Sequence, residues 1–291
     1  MPSARLDDRG LVEVAGAEAR SFIDRLVTCE IETMSAGAAR YGALLTPQGK
    51  VIADFIIFVG PEPDAFLFDT PASCVGDLIK RLNLYRLRAK LTVADRSALF
   101  RVVVGWDEAT HPPDAITMAP DPRRPELGWR AIVPVESRAP LGDVADSDAY
   151  HAHRIGLGIP EATRDFAAGD AFPHEALMDQ LGGVDFHKGC YVGQEVVSRM
   201  QHRGTARTRI VRLRYEDEAG HAGAEITAGE RALGRSSSAP GSSGLAMIRL
   251  DRAGDALSAG EPILAGGEPI RFDKPDWVRF PYPGEQPASP A

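Results

Sequence analysis

Residues Val184 to Gly204 read VDFHKGCYVGQEVVSRMQHRG, and the rest of the chain is interpreted outward from them. Cys190 follows His187, Lys188 and Gly189 and precedes Tyr191, Gly193 and a helix expected to begin near Gln194. A neighbouring ammonium, an imidazole or a helix N-terminus each favours thiolate over thiol, which makes Cys190 the candidate reactive cysteine. Gly189 and Gly193 permit positive φ and a close approach of a ligand to main-chain N–H groups, an arrangement suited to an anion at a helix start. The plainer alternative stays open at this point: two glycines that shape a tight turn, and a cysteine that acts as a small buried hydrophobe.

The run Lys188-Gly189-Cys190-Tyr191-Val192-Gly193-Gln194-Glu195 resembles the signature of the YgfZ/IBA57 family of folate-binding proteins, related to the glycine-cleavage T-protein, an aminomethyltransferase. T-proteins share the general frame but usually lack this cysteine and the Gln-Glu pair. Arg154-Ile155-Gly156-Leu157-Gly158-Ile159-Pro160 and Phe172-Pro173-His174-Glu175-Ala176 extend the resemblance. It implies a multi-domain, aminomethyltransferase-like α+β fold around a central folate pocket, with a small antiparallel barrel at the C-terminal end. By the same resemblance Asp54, after the turn at Gly49, and Glu175, in a Pro-x-Glu segment, would hold the pterin of tetrahydrofolate or a one-carbon derivative. Tyr191, Gln194 and Glu195 are assigned to the cofactor, and Lys188 to assisting Cys190.

From the residues alone, Asp54 stands out because the run Val51 to Val59 is otherwise wholly apolar, and a carboxylate there needs a partner or a purpose. A satisfied structural aspartate is the ordinary explanation. Glu175 would by default be a solvated residue in the first turn of a helix started at Pro173. His151 and His153 are two apart on an expected helix, do not share a face, and are taken as surface residues. His174, His187, Cys190 and His202 match no compact ligand spacing, so no metal is expected.

The chain has 291 residues, 44% of them hydrophobic, and a net charge of −8, enough for more than one domain. The divisions expected are 1–110, 111–204 and 205–291. The acidic balance argues against coating of nucleic acid or anionic membrane over the whole surface, leaving local basic patches open. Cys29, Cys74 and Cys190 are too far apart for a disulfide framework or a CxxC knuckle, so a reducing compartment, the cytoplasm, is expected. No apolar run reaches the length of a membrane span, and no membrane partner is expected.

The periodicities predict a first strand over Leu6 to Val14, a helix over Ala17 to Thr28, and a hairpin of Tyr41 to Thr46 with Val51 to Val59 around Pro47-Gln48-Gly49. They continue with a strand from Ala65 to Asp69, a helix over Val75 to Tyr85, and strands over Leu91 to Ala94 and Phe100 to Trp106. His111 to Pro125 reads as a surface connection. Gly128 to Val135 is a strand, and Asp146 or Ser147 caps a helix through about Ile155. Arg199, Arg203, Arg207, Arg209, Arg212 and Arg214 occur with no acid between them. Val211, Leu213 and Tyr215 alternate with the last two arginines as in a half-exposed strand. That run is either a solvated face or an attractor of a polyanion, a folate polyglutamate tail or RNA. Short strands at 223–227, 231–235, 244–250 and 262–264 suggest the barrel.

The expected function is tetrahydrofolate binding in support of iron–sulfur enzyme assembly or repair, including radical enzymes that modify tRNA, with iron–sulfur client or assembly proteins as partners. A folate-dependent aminomethyl or methyl transferase and a non-catalytic protein or RNA scaffold are the rival classes.

Overall fold

The computed structural model describes residues 2–107, 109–138, 143–204, 206–216 and 220–285. They form two compact units: Met1–His151 with Ala168–Pro173 and Leu181–Arg199, and Ala152–Ala167 with His174–Gln180 and Met200–Ala291.

The first unit begins with β1 (Pro2–Leu6) and β2 (Arg9–Ala15). The single strand expected over Leu6 to Val14 is therefore two, because Asp7 and Asp8 form a turn. β1 and β2 enter different sheets. The helix α1 (Ala19–Asp24) is shorter than expected, although Phe22 and Ile23 are buried as the spacing requires. Then follow β3 (Ala39–Leu45), β4 (Val51–Val59), β5 (Ala65–Pro71), α2 (Val75–Arg86), β6 (Thr92–Asp95) and β7 (Phe100–Gly105). The predicted connection His111 to Pro125 contains a strand, β8 (Thr117–Pro120), and two buried charged residues, Asp121 and Arg123. β9 (Trp129–Pro134), β10 (Asp143–Ala145) and α3 (Ser147–Gly156) follow, with Asp146 Oδ1 accepting from the Ala149 N–H at 2.8 Å as an N-cap.

One sheet has the order β3-β4-β5-β2-β6 and the other β10-β1-β7-β9-β8. Side chains alternate along β4, so Ala53, Phe55 and Ile57 join the core cluster of Phe22, Leu78 and Leu82. Asp54 consequently lies on the opposite face. β5 alternates likewise: Phe66 and Phe68 belong to the same cluster and Asp69 does not.

A buried ionic layer runs through this unit. Arg130 of β9 reaches Asp69 of β5 at 2.5 Å, and Arg9 of β2 reaches the other Asp69 oxygen at 2.6 Å. Asp121 accepts from Arg123 at 2.7 and 2.9 Å. The Tyr150 hydroxyl accepts from Arg123 at 2.8 Å and from Arg130 at 2.7 Å. Charges this deep persist only when paired and hydrogen-bonded, and here they tie one sheet to the other. His151 also belongs to this interior: it is buried, with Nε2 3.2 Å from Asp8, which corrects its assignment to the surface.

The second unit contains a closed barrel of β11 (Thr208–Tyr215), β12 (Glu225–Ala228), β13 (Arg231–Ser236), β14 (Ser243–Arg249), β15 (Ile263–Ala265) and β16 (Glu268–Phe272). Its order is β11-β14-β13-β12-β15-β16, antiparallel throughout, and closure leaves no strand edge open. The second unit also holds the last turn of α4 (Gln194–Arg203), beyond Arg199, and a helix unanticipated from the sequence, α5 (Leu250–Ser258), which buries Ala253 and Ala256.

Candidate functional site

The signature loop is built into the first unit by its own backbone. The Asp185 carboxylate accepts from the His187 and Lys188 N–H groups at 2.7 and 3.1 Å, and the Asp185 N–H donates to Thr28 O at 2.9 Å. Thr28 Oγ1 donates to Gly183 O at 2.6 Å and accepts from the Ala43 N–H at 2.9 Å. The loop is thus laced to the segment that follows α1.

Lys188 is held firmly by the end of α1 and the segment that follows it. Its side chain is 1% exposed, and its ammonium meets Asp24 Oδ1 at 3.0 Å, Asp24 O at 2.6 Å, Val27 O at 3.1 Å and Cys29 O at 2.6 Å. An ammonium has three N–H donors, and four acceptors already surround these. They include carbonyls at the C-terminal end of α1, where a cation is favoured. Lys188 is therefore a clamp on residues 24–29.

The two glycines also part company. The turn at Thr46 to Gly49 closes with the Gly49 N–H on Thr46 O at 2.8 Å, as expected for the hairpin of β3 and β4. Gly193 (φ +81°) packs directly on that turn: a Cβ there would lie 2.6 Å from Thr46 O. Gly49 (φ +82°) in turn lies against Val196. Gly193 is needed for backbone contact, just before α4 begins. Gly189, by contrast, faces open space.

Cys190 is the exposed thiol, while Cys29 and Cys74 are buried. Burial pushes the Cys29 thiol up to about 12, although Lys188 works in the opposite direction. Burial first, and then the Asp54 charge, also raise Cys74. The two interior cysteines are thus held as thiols at neutral pH. Around Cys190, Gln194 Nε2 bridges back to Gly189 O at 3.4 Å. Glu195 points to solvent and pairs with Arg199 at 2.5 Å. Tyr191 is buried, its phenol is pushed up to about 12 by burial and by Asp185, and its hydroxyl has no hydrogen-bond partner among the described residues. A buried polar atom without a protein partner is the kind of group a ligand or water satisfies.

Asp54 is 2% exposed, and the Tyr41 hydroxyl donates to its Oδ2 at 3.2 Å. Its backbone carbonyl accepts from Thr70 Oγ1 at 2.9 Å, which fixes β4 against β5. Tyr41 also borders a cavity of about 360 Å³, lined in addition by Arg40, Asp121, Pro122 and Gly182. The Arg123 guanidinium stands over the Tyr41 ring, 5.8 Å from its centroid. The Tyr41 phenol that donates to Asp54 thus borders a cavity also lined by Arg40, while Asp54 itself is not one of the lining residues.

Glu175 belongs to the second unit. Residues 173–182 form successive turns, so the helix considered from Pro173 is absent. Glu175 is half-buried, and its carbonyl accepts from the Ile210 N–H at 2.9 Å. Nearby His174 is buried, 3.0 Å from Gln201, and burial lowers its pKa despite Asp179. His174 borders a second cavity, of about 450 Å³, with Arg209, Phe280 and Tyr282.

The basic run is largely neutralised. Arg209 is buried and makes a bidentate pair with Asp179 at 2.9 and 3.0 Å, its guanidinium 4.5 Å from the Phe280 centroid. Arg212 and Arg214 share Asp273 at 3.0 and 2.8 Å. Burial of Asp273 works against its ionisation, but the hydrogen bonds and charges of Arg214 and Arg212 hold its pKa below the usual range.

Two stretches of the chain match known domain families. Residues 7–104 match the GCVT N-terminal domain, and residues 207–280 match the CAF17 C-terminal beta-barrel domain. The human mitochondrial iron–sulfur cluster assembly factor IBA57 is 34% identical over 275 residues, covering 84% of this chain and 76% of that protein. The chain belongs to the YgfZ/IBA57 family, related to the T-protein. The IBA57 homologue of Neurospora crassa is 36% identical over 71% of this chain, and that of Mycosarcoma maydis 32% over 73%. The matched chain spans little more than half the length of these two fungal relatives, 52% and 57%. Among solved structures, aminomethyltransferase T of the glycine cleavage system from Bartonella henselae superposes with a TM-score of 0.72 at 15% identity, covering 95% of this chain and 86% of that one. The aminomethyltransferase-like fold with its closed C-terminal barrel is therefore as expected. None of the described helices is long and apolar enough to cross a membrane.

Proposed function

We propose that this protein binds tetrahydrofolate or a one-carbon derivative and supports the assembly or repair of iron–sulfur enzymes, including radical enzymes that modify tRNA. Support for the iron–sulfur half comes from relatives named as iron–sulfur cluster assembly factors. Support for the folate half comes from the GCVT domain match and from Asp54, the observation that carries it: a buried carboxylate that accepts from Tyr41, a residue bordering a cavity.

The chemistry of these residues supports a pterin as the ligand. Asp54 can accept from a ring N–H, and a charge-assisted bond of that kind is strong when shielded from water. The unpartnered Tyr191 hydroxyl offers a further donor or acceptor in the same unit. When bound, the folate would supply carriage of a one-carbon group. Glu175 is assigned to the pterin by family resemblance alone. Cys190, exposed and free, is the group through which a thiol function would be exercised. The compartment proposed is a reducing one, either the cytoplasm or the mitochondrial setting given in the relatives' names.

The test is restoration of iron–sulfur enzyme activity and tRNA modification in a strain lacking the protein. Wild type should restore both and Cys190→Ala should not; full rescue by Cys190→Ala would remove the thiol role. Turnover of a tetrahydrofolate adduct would favour the transferase class. Rescue by variants that no longer bind folate would favour the scaffold.

A further inference from the structure

Helix α2 buries Val75, Leu78 and Leu82 and then turns two leucines outward at its end: Leu84 is 70% exposed and Leu87 is 86% exposed. Leu87 also adopts φ 47° and ψ −106°, a backbone state that disfavours a bulky side chain. Glycine would serve better there if only the turn mattered. One position thus carries two penalties, an exposed apolar side chain and a strained backbone.

The charge around these leucines is mostly basic, although the Glu18 carboxylate accepts from the Lys90 N–H at 3.0 Å. Between Leu78 and Ala94 lie Lys80, Arg81, Arg86, Arg88 and Lys90, and no acid. Arg81 pairs with Asp77 at 2.7 Å, but among the described residues Lys80, Arg88 and Lys90 form no ion pair. Within a Debye length of about 8 Å such a patch governs the local field whatever the net charge of the chain.

The geometry points to a peripheral docking site for an anionic phospholipid surface, with Leu84 and Leu87 entering the acyl boundary and Lys80, Arg88 and Lys90 meeting the headgroups. Long basic stems can lie along that boundary with their charges in water. Protein interfaces are depleted in lysine, and leucine is under-represented among their hot spots, while a single-stranded nucleic acid would call for exposed aromatic platforms. The patch has leucine, lysine and arginine, and no exposed large aromatic among the described residues. This site is independent of the folate reading.

The experiment is co-sedimentation of the full chain with phosphatidylcholine vesicles, with and without about one-third phosphatidylserine. Wild type should sediment with the anionic vesicles alone, less so as salt rises. Leu84→Ser with Leu87→Ser should lower the partition coefficient at least about tenfold with the thermal midpoint unchanged. Leu87→Gly should raise the midpoint and weaken vesicle binding, separating docking from folding. Failure of wild type to sediment at low salt would overturn the proposal, as would equal sedimentation by the double variant. Loss of self-association in that variant without any change on vesicles would assign the leucines to a protein interface and overturn the proposal as well.

Discussion

Strand β11 carries Arg209, Arg212 and Arg214, and α2 with the residues just after it carries Lys80, Arg88 and Lys90, yet among the described residues only the first set forms side-chain ion pairs. Asp179 and Asp273 lie 30 and 59 residues from the arginines they neutralise, so a window along the sequence sees the cations and misses their partners. The α2 end reads in sequence as an ordinary amphipathic helix because its buried face is regular, and periodicity says nothing about unpaired charge on the other side. A run of one sign is informative once its pairing in three dimensions is known.

The sharpest way to break this comparison is through Arg209. Arg209→Met should destabilise the barrel unit by about 3–5 kcal/mol, because Asp179 is left buried without its partner. Chemical denaturation would measure this, and a loss below about 1 kcal/mol would mean that the pair is no stronger than a surface one. By the same measurement Lys80→Ser with Arg88→Ser should stay within about 0.5 kcal/mol of wild type.

A smaller effect separates the two glycines of the signature loop. Gly193→Ala must hold a positive φ and displace Thr46 O, which costs about 1–3 kcal/mol, whereas Gly189→Ala should be near neutral. Equal effects in thermal unfolding would show that both glycines serve the turn alone.

The smallest effect belongs to Arg212 and Arg214, which are partly exposed and should contribute about 1 kcal/mol or less each. Their signature is a pH dependence. With its folded pKa lowered, Asp273 adds stability that is fully present above its unfolded pKa of about 3.9 and is lost as pH falls through the folded value. Arg212→Ser with Arg214→Ser should flatten stability against pH below about pH 4. An unchanged acid limb would show that other carboxylates control it.

Legibility in the sequence follows the range of the interactions. β4 is predicted at its observed bounds because a run of nine residues, apolar except for Asp54, fixes it locally, and α2 and most barrel strands come within a few residues. β16 escapes a reading by periodicity because Pro269 and two charged residues break its pattern, although the barrel supplies its pairing. The segment around Asp121 and Arg123 looks like a surface loop in sequence, since Tyr150, to which Arg123 donates, lies 27 residues further along the chain. At the site, Asp54 is visible as a carboxylate in an apolar run, and the exposure of Cys190 suits the thiol reading. The clamp formed by Lys188 is invisible in sequence because its acceptors are mostly backbone carbonyls about 160 residues earlier.

Equilibrium binding of tetrahydrofolate to the full chain, beside Asp54→Ala and the near-isosteric Asp54→Asn, tests the central claim most directly. Micromolar or tighter binding by wild type is predicted, weakened at least tenfold, about 1.4 kcal/mol, in both variants with their folded structure retained. Absence of binding by wild type, or equal binding by Asp54→Asn, would contradict the placement of the pterin at this carboxylate.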